Sequence, residues 1–134
     1  NVDSLGVPWA ELLARLGGWG WLNPPYSDPL PWVTKVLEEH QRGAGVVMLL
    51  NADHSVRWFA RALTGLNRVI YFIANDLPRP DYRIGRIAFL DAHGQPVSSN
   101  NKPQFMLVFH PYGHGGLVTD YVPLEDIMTC EHNT

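Results

Sequence analysis

The sequence predicts an α/β domain, and three observations carry that prediction. Val46-Val47-Met48-Leu49-Leu50 is apolar without a break between Gly45 and Asn51, the pattern of a strand buried on both faces of a sheet. Just upstream, Trp32, Val33, Val36 and Leu37 recur at helical spacing, while Lys35, Glu38, Glu39 and Arg42 fall on other faces. Short apolar runs flank these pieces at both ends, so strand-like and helix-like patterns alternate along the chain.

Taken in order, Trp9-Ala10-Glu11-Leu12-Leu13-Ala14-Arg15-Leu16 reads as a two-turn helix stopped by Gly17-Gly18. Trp19-Gly20-Trp21-Leu22 reads as a short strand running straight into Asn23-Pro24-Pro25-Tyr26. Two successive prolines fix φ and donate no backbone N–H, so the strand must stop and no helix can start there. The carbonyls of Asn23 and the prolines are left without ladder partners and free to point into a cleft. Asn23 adds an amide that both donates and accepts, and Tyr26 adds a flat aromatic face. Such a corner suits a planar heterocycle carrying an exocyclic amine: carbonyls accept from the NH2 and the ring stacks.

Ser27-Asp28-Pro29 is turn chemistry, and Pro31 suits the first turn of a helix of about three turns closed by Gly43. Trp32 reads as a core anchor against the sheet, with pocket lining as the alternative. After the 46–50 strand, Asp53-His54-Ser55 offers an N-cap to a helix through Val56, Phe59, Ala60 and Leu63. Asp53 also sits just past a strand's carboxyl end, where open α/β sheets place ligands, which leaves a functional acid open. Trp58 and Phe59 read as core and rim. Val69-Ile70-Tyr71-Phe72-Ile73 is a third strand, and 74–82 a proline-broken loop. Residues 83–89 resume an extended pattern, and Phe105-Met106-Leu107-Val108-Phe109 forms the last strand. His110 and His114 are four apart, but Pro111 and three nearby glycines forbid the helix that would bring them to one metal. Residues 110–116 are expected to be a surface turn or a loop over the cleft, and 117–134 to supply a short closing helix.

Bulk properties narrow the class. A chain of 134 residues, 46% hydrophobic and 17% charged, fits one domain or part of one, and no run reaches the ~18–20 apolar residues of a membrane span. The acidic, polar start does not resemble a signal peptide. A single cysteine, Cys130, excludes an internal disulfide and a zinc ribbon and fits a reducing cytoplasm. The formal charge is −3, yet six of the ten Lys/Arg (Arg57, Arg61, Arg68, Arg79, Arg83 and Arg86) fall between 57 and 86. Only Asp76 and Asp81 oppose them, leaving that segment at +4 and compatible with a phosphate-facing side or a mixed solvated surface.

Trp21-Leu22-Asn23-Pro24-Pro25-Tyr26-Ser27, Pro31-Trp32-Val33, Val47-Met48-Leu49-Leu50, Ala52-Asp53 and Trp58-Phe59 carry a family likeness. So do Ile70-Tyr71-Phe72-Ile73, Gly85-Arg86-Ile87-Ala88-Phe89 and Phe105-Met106-Leu107-Val108-Phe109. In this order and with these gaps the chain resembles the phage-type Dam DNA N6-adenine methyltransferases, which use S-adenosyl-L-methionine. The resemblance implies a Rossmann-like methyltransferase sheet, three-layer α/β/α, with an antiparallel edge hairpin between 87–89 and 105–109. It implies a single methyltransferase-like domain over 1–134, acting on DNA in the cytoplasm of a bacterial host. It assigns catalysis to Asn23, Pro24, Pro25 and Tyr26, places Asn23 near the cofactor sulfonium, and calls for no metal. Arg57, Arg61, Arg79, Arg83 and Arg86 are the expected DNA contacts.

The family also carries, upstream of the catalytic strand, the first strands of the sheet and a turn that holds the cofactor's methionine and ribose. The given sequence shows no such segment before Trp9, so the sheet is expected to be incomplete and the chain to correspond to the C-terminal two thirds of such an enzyme. Two further readings stand beside it: a DNA-binding remnant without catalysis, and a methyltransferase using the same four residues on protein glutamine or RNA.

Overall fold

The computed structural model describes residues 19–25, 27–87, 92–94 and 102–127. The expected helix at 9–16 and the ring of Tyr26 lie outside them. Five strands form one sheet in the order β1 (Trp19–Leu22), β2 (Gly45–Asn51), β4 (Gln104–Phe109), β3 (Arg68–Ile73), β5 (Val118–Pro123). Helix α1 (Leu30–Gln41) joins β1 to the parallel β2, as a crossover between parallel strands requires. Helix α2 (Arg57–Ala62) follows β2. Strand β4 is antiparallel to both β2 and β3, and β5 is parallel to β3. Four strands therefore point one way and β4 alone opposes them. The carboxyl ends of β1, β2, β3 and β5 share one edge of the sheet with the amino end of β4.

The main core forms on the face that carries both helices. Val33 and Val36 of α1, Phe59 and Ala62 of α2, and Val46, Met48, Leu50, Val69, Phe105, Leu107 and Phe109 of the strands are buried together. Valine costs a few tenths of a kcal/mol in helix propensity, whereas burying its side chain contributes about 1.5–3 kcal/mol, so packing decides that α1 is helical. Pro31 stands in the first turn of α1, and Gly43, with φ of 110°, ends the chain's passage from the helix into β2. Trp32 packs against this core, as expected of an anchor. The opposite face carries a smaller cluster of Leu49, Phe72 and Leu124, with Ile70, Ile87, Met106 and Ile127 beside it. Among the described residues it is covered by a helical turn over 124–127 and not by a second helical layer, so the three-layer arrangement is not seen there.

Three expectations are corrected. The 105–109 run is not an edge strand: β4 is inserted between β2 and β3 because both its faces are apolar, with Phe105, Leu107 and Phe109 fully buried on one of them. Residues 83–87 form no strand; Gly85 is buried, and a Cβ there would come within 2.3 Å of the Ile73 backbone carbon, so this segment folds back over the end of β3 as a loop. Ala88 and Phe89 lie outside the described residues. Within 117–127 the chain first forms β5 and only then a helical turn, since Val118, Thr119, Tyr121 and Val122 favour the extended state.

Two buried polar residues on α1 were hidden from its periodicity. Glu39, placed by spacing on a polar face, is fully buried with Lys35 Nζ at 3.1 Å and Arg42 Nη1 at 3.3 Å. His40 is also fully buried, edge-on to Phe109. Its Nδ1 lies 3.2 Å from the His110 carbonyl, which can only accept, so Nδ1 carries a proton, and Nε2, 3.4 Å from the Gln41 amide nitrogen, is placed as the acceptor of a neutral ring. Burial pushes its pKa below the ordinary 6.5, partly opposed by that hydrogen bond. As pH falls below 6.5 the unfolded imidazole binds a proton that the folded one still refuses, so stability is lost towards acid. Urea midpoints measured from pH 7.5 down to 5.5 should fall, and the fall should be shallower in His40→Gln.

Candidate active site

The Asn-Pro-Pro corner stands at the carboxyl end of β1. Asn23 and Pro25 are exposed and Pro24 between them is buried, so the corner is seated by one proline while the Asn23 side chain remains accessible. Among the described residues no turn or cap hydrogen bond uses the carbonyls of residues 23–25. The chain then turns into α1, with Val33 N–H donating to the Pro29 carbonyl at 3.0 Å.

A cleft of about 480 Å³ opens immediately downstream, lined by Ser27, Asp28, Pro29, Leu30, Asn51, Asp53, Val56, Arg57 and Trp58. Its walls are the turn after the corner, the carboxyl end of β2 and the start of α2. That volume lies within the range of small-molecule sites, and its position is where parallel sheets bind ligands. Residues 23–25 adjoin the cleft without forming its walls.

Asp53 does not cap α2. The cap position is Val56, and Asp53 instead accepts hydrogen bonds from the backbone N–H of Ser55 at 2.9 Å and from the Ser55 hydroxyl. The two bonds from Ser55, hydroxyl first, hold its carboxyl below the usual carboxylate range, and neighbouring His54 adds to this. An ionised acceptor is thereby fixed in the cleft wall. Trp58 is both core and rim: it packs edge-on against Phe59 and Phe105 and also lines the cleft. Trp32 is not among the lining residues.

The five arginines divide. Arg57 lines the cleft, and Arg61 is exposed one turn further along α2. Arg79, Arg83 and Arg86 are exposed on the loop 74–87, which leaves the carboxyl end of β3 and so lies on the same sheet edge. Arg68, the remaining cation of this segment, pairs with Asp120 at 3.3 Å. Residues 110–116 are elsewhere. They follow the carboxyl end of β4 at the opposite edge, where the Asn67 amide donates to the carbonyls of His114 and Gly115, both at 3.1 Å, and its oxygen accepts from His110 N–H at 2.8 Å. A loop over the cleft is therefore ruled out for them, and the surface turn stands. Among the described residues no cluster of His, Cys, Asp and Glu could hold a metal. Nor is any described helix long and apolar enough to cross a membrane.

Sequence reasoning did not single out Asn51 as part of a site. It marked only the end of a strand, although a polar residue closing an apolar run at a carboxyl edge was the signal.

Comparison with known proteins supplies what geometry alone does not. A family profile described as DNA N-6-adenine-methyltransferase (Dam) matches residues 3–132. A protein of Haemophilus phage HP1, named DNA N-6-adenine-methyltransferase, is 35% identical over 114 residues, covering 83% of this chain and 60% of the relative. A protein of the same name from Escherichia phage T1 is 34% identical over 119 residues, covering 84% of this chain and 50% of the relative. The chain thus spans between half and three fifths of the length of these curated relatives. No solved structure matches it significantly.

Proposed function

The chain belongs to the DNA N-6-adenine-methyltransferase (Dam) family, and from that premise we propose that it transfers a methyl group from S-adenosylmethionine to N6 of adenine in DNA, with residues 23–26 holding the amine. The observation that carries this reading is the exposed Asn23 beside a buried Pro24, at a parallel strand's carboxyl end and next to a cleft. On this reading the sheet is part of a Rossmann-like one, and the parallel β1–α1–β2 unit supports that.

Adenine N6 is a poor nucleophile because its lone pair is delocalised into the ring. The Asn23 side-chain oxygen and the Pro24 carbonyl accept from the two N6 hydrogens and so localise that pair on nitrogen. Tyr26 stacks on the extruded base and offsets part of an unstacking cost of a few kcal/mol. When bound, S-adenosylmethionine would supply an electrophilic methyl to the N6 lone pair, with the sulfur keeping the bonding pair as the leaving thioether. One N6 proton then leaves to solvent. Oxygen acceptors suit a sulfonium, and two are at hand: the Asn23 amide, and in the adjoining cleft the Asp53 carboxylate fixed by Ser55. Alignment accounts for most of the remaining rate.

The test is methyl transfer from labelled S-adenosylmethionine to mixed-sequence duplex DNA, followed by nucleoside analysis, with RNA and glutamine-bearing protein as parallel acceptors. N6-methyladenine in the DNA is expected. Label in RNA or glutamine would move the activity to another acceptor, and DNA binding with no heat on titration with S-adenosylmethionine would make the chain a remnant.

A further inference from the structure

The oxygens of the Asn-Pro-Pro corner recognise an amine, which adenine shares with cytosine and guanine. Telling adenine apart takes a donor to a ring nitrogen beside that amine. Few side-chain donors line the cleft. Ser27 and Arg57 are exposed, the Ser55 hydroxyl is given to Asp53, and the Trp58 ring is packed on Phe59 and Phe105. Asn51 is half-buried, lines the cleft, and ends β2, the strand that pairs with β1. Leu22 is level with Met48, so Asn23 and Asn51 leave adjacent strands at one edge. Among the described residues the Asn51 side chain makes no hydrogen bond within the fold.

Directly opposite Asn51, on the central strand β4, stands Gln104. It is fully buried, and among the described residues its Nε2 is the buried side-chain nitrogen left without a hydrogen-bond partner. The orientation of the amide is set. Its Oε1 accepts from Ile87 N–H at 3.3 Å, and the flipped amide would bring two donors together. The Nε2 hydrogens are therefore idle where water does not reach them. Buried donors are nearly always satisfied, so an idle one calls for an acceptor that turns towards it when a ligand is bound. Cross-strand partners on one sheet face hold their Cβ atoms about 5 Å apart, a span that two amides can bridge.

We infer that Asn51 selects the target adenine and that Gln104 positions it for this. With the base in the cleft, Gln104 Nε2 donates to Asn51 Oδ1, and Asn51 Nδ2 donates to N7 of the adenine. An asparagine amide complements the N6 and N7 edge of adenine, an edge that cytosine lacks. The N6 hydrogens are already held at the corner, so only the donor half of the amide is needed. Gln104 supplies the bias. An isolated amide has no preference between presenting its oxygen or its nitrogen to the base, whereas one whose oxygen is held presents the nitrogen. The inference rests on the proposed holding of the amine by residues 23–26 and adds to it what chooses the base.

The test is methyl transfer by the full chain to mixed-sequence duplexes containing adenine, and to the same duplexes with 7-deazaadenine at every adenine. The analogue keeps the amine and puts C–H in place of N7. The wild-type chain should lose about tenfold in kcat/KM on it, the worth of one hydrogen bond. Asn51→Ala should be slower on adenine by a similar factor and treat the two DNAs alike. Asn51→Asp keeps an acceptor for Gln104 but has no donor for N7, and should also treat them alike. Gln104→Met should level the two DNAs although Gln104 touches no base; a merely structural role would slow both and keep the tenfold ratio. Each ratio is taken within one variant, so a partly unfolded preparation does not alter it. Equal wild-type rates on the two DNAs, or an undiminished ratio in Asn51→Ala or Gln104→Met, would overturn the inference and leave the methyltransferase reading standing. Failure of the wild-type chain to methylate ordinary DNA would remove that reading, and the inference with it.

Discussion

Asn23→Ala is expected to lower turnover on duplex DNA by about 10²–10³, the loss seen when one preorganised polar contact to a reacting group is removed. The effect should fall on kcat more than on KM, because the acceptor matters most when the amine develops tetrahedral character. Asn23 is exposed and makes no hydrogen bond that the fold depends on among the described residues, so the variant should melt with the wild-type chain. Asn23→Asp keeps an oxygen acceptor at the same place and should retain more activity than the alanine variant. Methylation by Asn23→Ala within threefold of wild type, with folding intact, would remove Asn23 from the reaction.

The strand ends around the Asn-Pro-Pro corner could be read before its geometry was known, because they rest on backbone chemistry. Prolines 24 and 25 end a strand wherever they occur, and an uninterrupted run such as 46–50 has few alternatives to a buried strand. The cleft beyond that corner was harder to see. Asn51, Asp53 and Arg57 come together only because β2 and α2 meet at one edge, and that juxtaposition leaves no periodic trace. The position of β4 was misread for a related reason. Runs 83–87 and 105–109 are close in sequence, which favours a local hairpin, but Phe105 and Leu107 bury more by pairing between β2 and β3. Likewise Glu39 follows the polar spacing of α1 and is buried nonetheless, its carboxylate paired with Lys35 and Arg42 at i−4 and i+3. Local pattern identifies elements; which faces meet is decided by packing that the pattern does not contain.

Phe105→Ala is expected to destabilise the fold by about 3–5 kcal/mol, a large part of the ~5–15 kcal/mol that holds a domain of this size together. Phe105 is fully buried on the central strand. Its ring stacks on Phe59 at 5.5 Å and 24°, and meets Trp58 at 6.1 Å and Tyr71 at 5.5 Å edge-on. Those three neighbours belong to α2 and β3, so the cavity would loosen the helix that carries the cleft residues Arg57 and Trp58. Tyr71 in turn stacks on Tyr121 of β5 at 5.2 Å, extending the disturbance to the sheet's far edge. Phe105→Leu keeps most of the volume and should cost under about 1.5 kcal/mol. Leu63→Ala, at an exposed position, serves as the reference for a truncation that opens no cavity. Urea midpoints rank the three variants, and a Phe105→Ala shift no larger than that of Leu63→Ala would contradict a sheet built around β4.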